Sequence, residues 1–186
     1  MVNKIPSGST FLDPKRILNT VDIKLGDRVA DLGCGGAGYF VLQAARMVGD
    51  KGVAYGVDIL KSALSGLESR ADLDNLGNVV PVWSNAEIYG GAKAIKNDTL
   101  DIALLIQLLS QAKKHKDIFR ETHRLLKKGG RAVVVDWLTS DLSFGPKSGQ
   151  FVPIDQVKAL AHEAGFKFAK SFQAGPYHYG LIFEKI

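Results

Sequence analysis

One cysteine, six prolines and no long apolar run stand in this chain, and each scarcity closes a class of explanation. A lone Cys34 has no partner for an internal disulfide and cannot by itself build a thiolate metal site, so no metal is expected. No apolar stretch approaches the roughly 20 residues of a membrane span. The opening MVNKIPSGSTFLDPKRIL lacks the apolar core of a secretory signal. A cytoplasmic location without a membrane partner is therefore expected. Repeats, low-complexity tracts and Pro/Ser-rich linkers are missing too. A length of 186 residues suits one domain over 1–186, with residues 1–24 as a lead-in segment and helix.

Acidic charge is in deficit, with 24 Lys and Arg against 19 Asp and Glu, a net charge of +5. That balance suits a polyanion or an anionic substrate. The lysines are nevertheless spread out, and their densest runs, QAKKHKD and RLLKKGG, read as solvated helix ends that complement the backbone dipole. No RNA-binding signature is present. Nucleic acid is thus not the favoured partner, and a small-molecule substrate is.

What is present is an alternation of periods. LDPKRILNTVDI reads as a helix, RVADL as a first strand, GYFVLQAARMVGDKG as a helix closed by glycine, and VAYGVDI as a second strand. KSALSGLESRADLDNLG returns to helical spacing, VVPVW is a third strand and LDIALLI a fourth. The cycle continues with HKDIFRETHRLLKKGG, RAVVVDW and PIDQVKALAHEAGF as helix, strand and helix. FKFAKSF and YGLIFEKI then follow with only QAGPYH between them, too short for a crossover helix, so they should pair antiparallel. Strands apolar on both faces, alternating with helices, imply an α/β class: a Rossmann-like, doubly wound, mostly parallel sheet. Ligands of such sheets bind beyond the carboxyl ends of the strands, where strand order reverses.

The stretch VADLGCGGAGYF falls there. Gly33, Gly35 and Gly38 form G-x-G-x-x-G between a strand and a helix, and Asp58 ends the second strand about 20 residues on, where it would grip a ribose diol. The pattern alone fits a nicotinamide dinucleotide. Asp31 argues against it, because a carboxylate at the strand end repels a pyrophosphate laid on the helix amino terminus. A phosphate-free cofactor with a sulfonium and an ammonium would be attracted instead. One such contact at 4 Å, at an effective dielectric of about 20, is worth roughly 4 kcal/mol before desolvation. S-adenosylmethionine has these features.

VADLGCGGAG followed by AYGVDI resembles the first two motifs of the class I S-adenosylmethionine-dependent methyltransferases. IFRETHRLLKKGGRAVVVDW is similar to the helix, turn and fifth strand of their ubiquinone/menaquinone-type branch. The resemblance implies seven strands in the order 3-2-1-4-5-7-6, the last antiparallel. It implies that Asp31 holds the methionine ammonium, directly or through water, with main-chain groups of Gly33, Cys34 and Gly35. Asp58 would bond the ribose, Ile59 pack on the adenine, and Ala86 supply a backbone amide to the ring. Asn85 stands where the family usually has aspartate, and Gln107 where it often contacts the methionine part. The commonest family pattern puts its third glycine at Ala37, with Gly38 next.

For the acceptor the residues say less. The fourth strand ends LLIQLLSQ, without the Asn/Asp-Pro-Pro-Tyr/Phe tetrad of amino methyltransferases. One cysteine cannot do the work of the several in arsenite methyltransferases. His178 and Asp136 are candidate bases on the same rim; equally, His178 could bond neighbouring backbone and Asp136 could cap an amide. Core packing is expected for Trp83. The loop LTSDLSFGPKSGQF could serve as a lid, and little room is left for a dedicated substrate domain, so a small or exposed acceptor, or a partner that completes the pocket, is expected. A cofactor-binding module without turnover and an NAD(P)-dependent oxidoreductase are the alternatives.

Overall fold

A computed structural model of the chain describes residues 12–139, 143–147 and 150–186. Much of the lead-in segment and parts of the expected lid lie outside the described residues. The first helix, α1 (Pro14–Val21), starts where Asp13 accepts a hydrogen bond from the amide of Arg16, with Pro14 in the first turn. Strands and helices then alternate: β1 (Arg28–Leu32), α2 (Tyr39–Val48), β2 (Val53–Asp58), α3 (Lys61–Leu73), β3 (Val79–Trp83) and β4 (Leu100–Ile106). A 3-10 turn at Leu109–Gln111 precedes α4 (His115–Leu125), β5 (Leu126–Trp137), α5 (Ile154–Glu163), β6 (Phe166–Gly175) and β7 (His178–Lys185).

The seven strands form one sheet in the order β3-β2-β1-β4-β5-β7-β6. Its first five members are parallel, whereas β7 runs antiparallel to both β5 and β6. This is the expected architecture. Its cause is visible in the central strands, whose side chains alternate between two buried faces. Ala103 and Leu105 of β4, Ala132 and Val134 of β5, and Leu181 and Phe183 of β7 meet Ile118 and Phe119 of α4 and Val157 of α5. The alternate residues Ile102, Leu104, Val133, Val135 and Ile182 meet Ile17 and Leu18 of α1, Val41 and Ala44 of α2, and Leu67 of α3.

Two boundaries differ from the sequence reading. The KKGG run is not a helix end: α4 stops at Leu125, Leu126 already pairs with Leu100, and ladder pairing resumes at Arg131 opposite Ile102. Lys127 to Gly130 bulge out between those pairs, with Gly129 left-handed at φ 74°. The closing hairpin is also longer than its apolar core suggests, because Gln173 and Gly175 still pair with Tyr179 and His178.

Since β7 runs against its neighbours, its first residue, His178, pairs with the last residue of β5, Trp137. The carboxyl ends of β1, β2, β4 and β5 and the start of β7 therefore share one edge of the sheet, and the order reverses between β1 and β4. No helix among the described residues is long and apolar enough to cross a membrane.

Candidate functional site

The glycine loop turns its first amides inward. Gly33 (φ 84°) and Cys34 both donate to the carbonyl of Val57, at 2.8 and 3.0 Å, and Gly35 donates to Oδ2 of Asp58 at 2.9 Å. Three donors that a dinucleotide loop would aim at phosphate are thus bound to β2. Gly38 (φ 58°) opens α2, and a Cβ there would overlap the Leu67 side chain of α3. Its bareness lets the two helices pack closely. Cys34 is a small residue in this turn; burial and the carboxylates of Asp31 and Asp58 push its thiol up, away from reactive thiolate chemistry.

Asp31 lies inside the mouth of β1, 3% exposed, and its Oδ1 finds no hydrogen-bond partner among the described residues. Burial first, then the nearby Asp58 carboxylate, push its pKa up to about 7. It lines a cleft of about 310 Å³ with Gly33, Cys34, Tyr39, Phe40, Ile106, Gln107 and Gln111. A bare carboxylate oxygen facing a cavity is a site for a cation.

On the other side of the loop lies a second cleft, of about 350 Å³. Gly33, Gly35, Gly36 and Gln111 border both clefts, so the two form one groove draped over the glycine loop. Asp58, Ile59, Asn85 and Ala86 line the second half together with Leu60, Ser84, Glu87 and Leu108. Asp58 accepts from the amides of Gly35 and Leu60, each at 2.9 Å, which fixes its carboxylate at the groove. Ile59 is 57% exposed and offers an apolar surface to a flat ligand. Ser84 Oγ is another buried polar atom without a partner among the described residues. The Asn85 side-chain oxygen accepts from the amide of Glu87 at 2.8 Å and shapes its own turn. Glu87 in turn accepts from the amides of Lys113 and Lys114, tying this wall to the start of α4.

Trp83 is not in the core. At the end of an edge strand it is 64% exposed, its indole N–H donates to the Ile59 carbonyl at 2.9 Å, and the Lys61 ammonium lies 4.4 Å from a ring centroid. Its apolar bulk misled the sequence reading; the polar end of the ring found a backbone partner at the surface.

Gln107 follows β4 in the left-handed region at φ 52°. Its amide donates to Val135 at 2.7 Å, its carbonyl accepts from Gln111 Nε2 at 2.8 Å, and its side-chain nitrogen sits 2.7 Å from Nε2 of His178. The two candidate bases lie behind this residue, and neither lines the groove. Asp136, 1% exposed, accepts from the amides of Ser110 and Trp137 at 3.1 and 2.9 Å and so anchors the 3-10 turn. Burial raises its pKa against those donors. His178 is fully buried against Trp137, with ring centroids 4.3 Å apart. Burial lowers its pKa to about 4, so it is neutral at pH 7.

Gln111, Leu108, Ser84 and Glu87 were missed from the sequence. Gln111 returns to the rim through the left-handed Gln107 and the 3-10 turn that follows it, neither of which the local sequence announces.

Comparison with known proteins identifies the family and the fold. A family model for the methyltransferase domain matches residues 23–163; the chain belongs to the methyltransferase domain family. Among curated relatives, the ubiquinone/menaquinone biosynthesis C-methyltransferase of Vibrio vulnificus is 34% identical, over 74% of this chain and 52% of its own. An arsenite methyltransferase of Halobacterium salinarum is 27% identical, over 76% of this chain and 38% of its own. The chain spans about half the length of the curated relatives it matches. Among solved structures, a SAM-dependent methyltransferase from Aquifex aeolicus superposes with a TM-score of 0.86 at 21% identity, covering 97% of this chain and 94% of that one. The [4+2]-cyclase SpnF does so at 0.75 and 18%, covering 92% and 81%. These two likenesses are of fold.

Proposed function

We propose that this chain binds S-adenosylmethionine along the groove and transfers its methyl group to a small or exposed acceptor. The carrying observation is the contrast at the loop: Asp31 presents an oxygen without a partner among the described residues, while the amides of Gly33, Cys34 and Gly35 are committed to β2. That polarity receives a cation and refuses a pyrophosphate, which argues against the dehydrogenase alternative.

The residues fit the cofactor's parts. Asp31 and Gln107 would hold the amino-acid end, Asp58 the ribose hydroxyls, and Ile59, Asn85, Ala86 and the Ser84 hydroxyl the adenine. When bound, S-adenosylmethionine supplies a methyl carbon on a positive sulfur with a neutral thioether as leaving group. The chain's own work is to orient the groove's two halves about Gln111 and to exclude water with Leu108 and Phe40. Positioning of this kind accounts for large accelerations without a base, with effective molarities reaching about 10⁵ M or more. The whole chain as one domain, a cytoplasmic location and a small-molecule acceptor belong to this reading.

The second reading is a groove that binds the cofactor without transferring its methyl. The SpnF likeness favours keeping it, since a cyclase carries the same fold. Calorimetry with S-adenosylhomocysteine and with a nicotinamide dinucleotide decides the cofactor: binding of the second alone overturns the proposal. Transfer of label from methyl-labelled cofactor to small molecules of a cell extract supports turnover; tight binding with no labelled product supports the second reading.

A further inference from the structure

We propose that His178 is a positioning residue for the amino-acid end of the groove: it fixes the side-chain amide of Gln107 so that Gln107 Oε1 joins Asp31 Oδ1 as a second acceptor for the cofactor's ammonium. The inference rests on the reading of the groove given above. It begins from two nitrogens 2.7 Å apart, Gln107 Nε2 and His178 Nε2. A glutamine amide nitrogen has only hydrogens to offer, so the imidazole nitrogen accepts with its lone pair and the ring proton resides on Nδ1. With its nitrogen end tied to the interior, the amide directs its oxygen end outward. Gln107 and Asp31 line the same cleft.

Three further observations make this an arrangement held against local preference. Gln107 is not glycine yet sits at φ 52°, a region costly for residues with a side chain. Its backbone is clamped there from both sides, by Val135 through its amide and by Gln111 through its carbonyl. The His178 ring is fully buried, and its Nδ1 has no partner among the described residues. A histidine kept there at such a desolvation cost is retained for what its other nitrogen does. The ring is held by Trp137, which faces it across the β5–β7 ladder. Neutrality at pH 7 keeps the lone pair available. His178 acts through Gln107 and does not itself line the groove.

The test compares three ligands on the whole chain by calorimetry: S-adenosylhomocysteine, its analogue lacking the α-amino group, and methylthioadenosine, which lacks the amino-acid end. His178→Phe should weaken S-adenosylhomocysteine about tenfold or more and leave the other two within about twofold. Gln107→Leu should reproduce that selective loss, and the double variant should be no worse than either single one. His178→Gln, which keeps an acceptor, should restore most of the affinity. Equal losses on all three ligands would mean a structural role only and overturn the proposal, as would an unchanged affinity for S-adenosylhomocysteine. Should His178→Phe fail to fold, His178→Asn, too short to reach the Gln107 amide, carries the same comparison. If wild-type protein binds neither S-adenosylhomocysteine nor methylthioadenosine, the reading of the groove fails; if it binds both and the selective loss is absent, only the role of His178 fails.

Discussion

The amide of Gly35 donates to Oδ2 of Asp58 at 2.9 Å, and this bond joins the loop after β1 to the carboxylate that ends β2. The same carboxylate holds the Leu60 amide through its other oxygen. Asp58 therefore has two jobs, bracing the groove and offering its remaining lone pairs to a ligand diol. Asp58→Ala leaves two amides without their acceptor. It should weaken S-adenosylhomocysteine and methylthioadenosine alike, by about 1–3 kcal/mol, or roughly 5- to 150-fold. Calorimetry on both ligands checks this; a loss confined to S-adenosylhomocysteine would place the ribose elsewhere.

Asp31→Asn should separate binding from stability. The substitution removes the anion that awaits the ammonium, so affinity for S-adenosylhomocysteine should fall by about tenfold or more, while methylthioadenosine is little affected. In the free protein it removes a carboxylate whose ionised form is disfavoured by burial, so the thermal midpoint at pH 8 should rise. Thermal melts with and without ligand measure both effects.

Cofactor affinity should climb with pH on the acid side of neutrality. With its pKa near 7, Asp31 is mostly protonated at pH 5.5 and must lose that proton to meet a cation. Titrations of S-adenosylhomocysteine from about pH 5.5 to about pH 7.5 should show tightening on the order of 25-fold, and the Asp31→Asn protein should show a flat profile over that window.

Two buried groups tilt stability in opposite directions. Asp31 binds its proton more tightly in the folded chain, at about 7 against an ordinary 3.8, so its contribution is full below about 3.8 and lost as pH rises to about 7. His178 is the reverse: folding lowers it from 6.5 to about 4, so its contribution is full above about 6.5 and lost as pH falls to about 4. Relative to wild type, Asp31→Asn should gain most at neutral pH and His178→Phe should fare best near pH 4. Denaturant melts at several pH values check the crossing.

The residues that declared themselves in the sequence did so by period and punctuation. LDIALLI is apolar on both faces because helices cover both faces of β4, and glycines 33, 35 and 38 fall where φ is positive. What stayed hidden depends on partners distant in the chain. Nothing near KKGG says that Leu126 already pairs with Leu100, because a bulge is decided by the neighbouring strand. Asn85 gave no sign that its oxygen caps Glu87. Trp83 shows that bulk does not ensure burial when a backbone carbonyl at the surface accepts the ring N–H. The pairing of Gln107 with His178 spans 71 residues and exists only because the last strand is antiparallel.

That reversed direction has a practical side. β7 starts behind the groove at His178 and reaches Lys185 seven residues later, about 23 Å away at the usual rise of a strand. Ile186, next to the strand's end, emerges 71% exposed at the far rim of the sheet. A biotin or dye attached there would anchor the molecule to a sensor surface with its opening turned to the flowing solution.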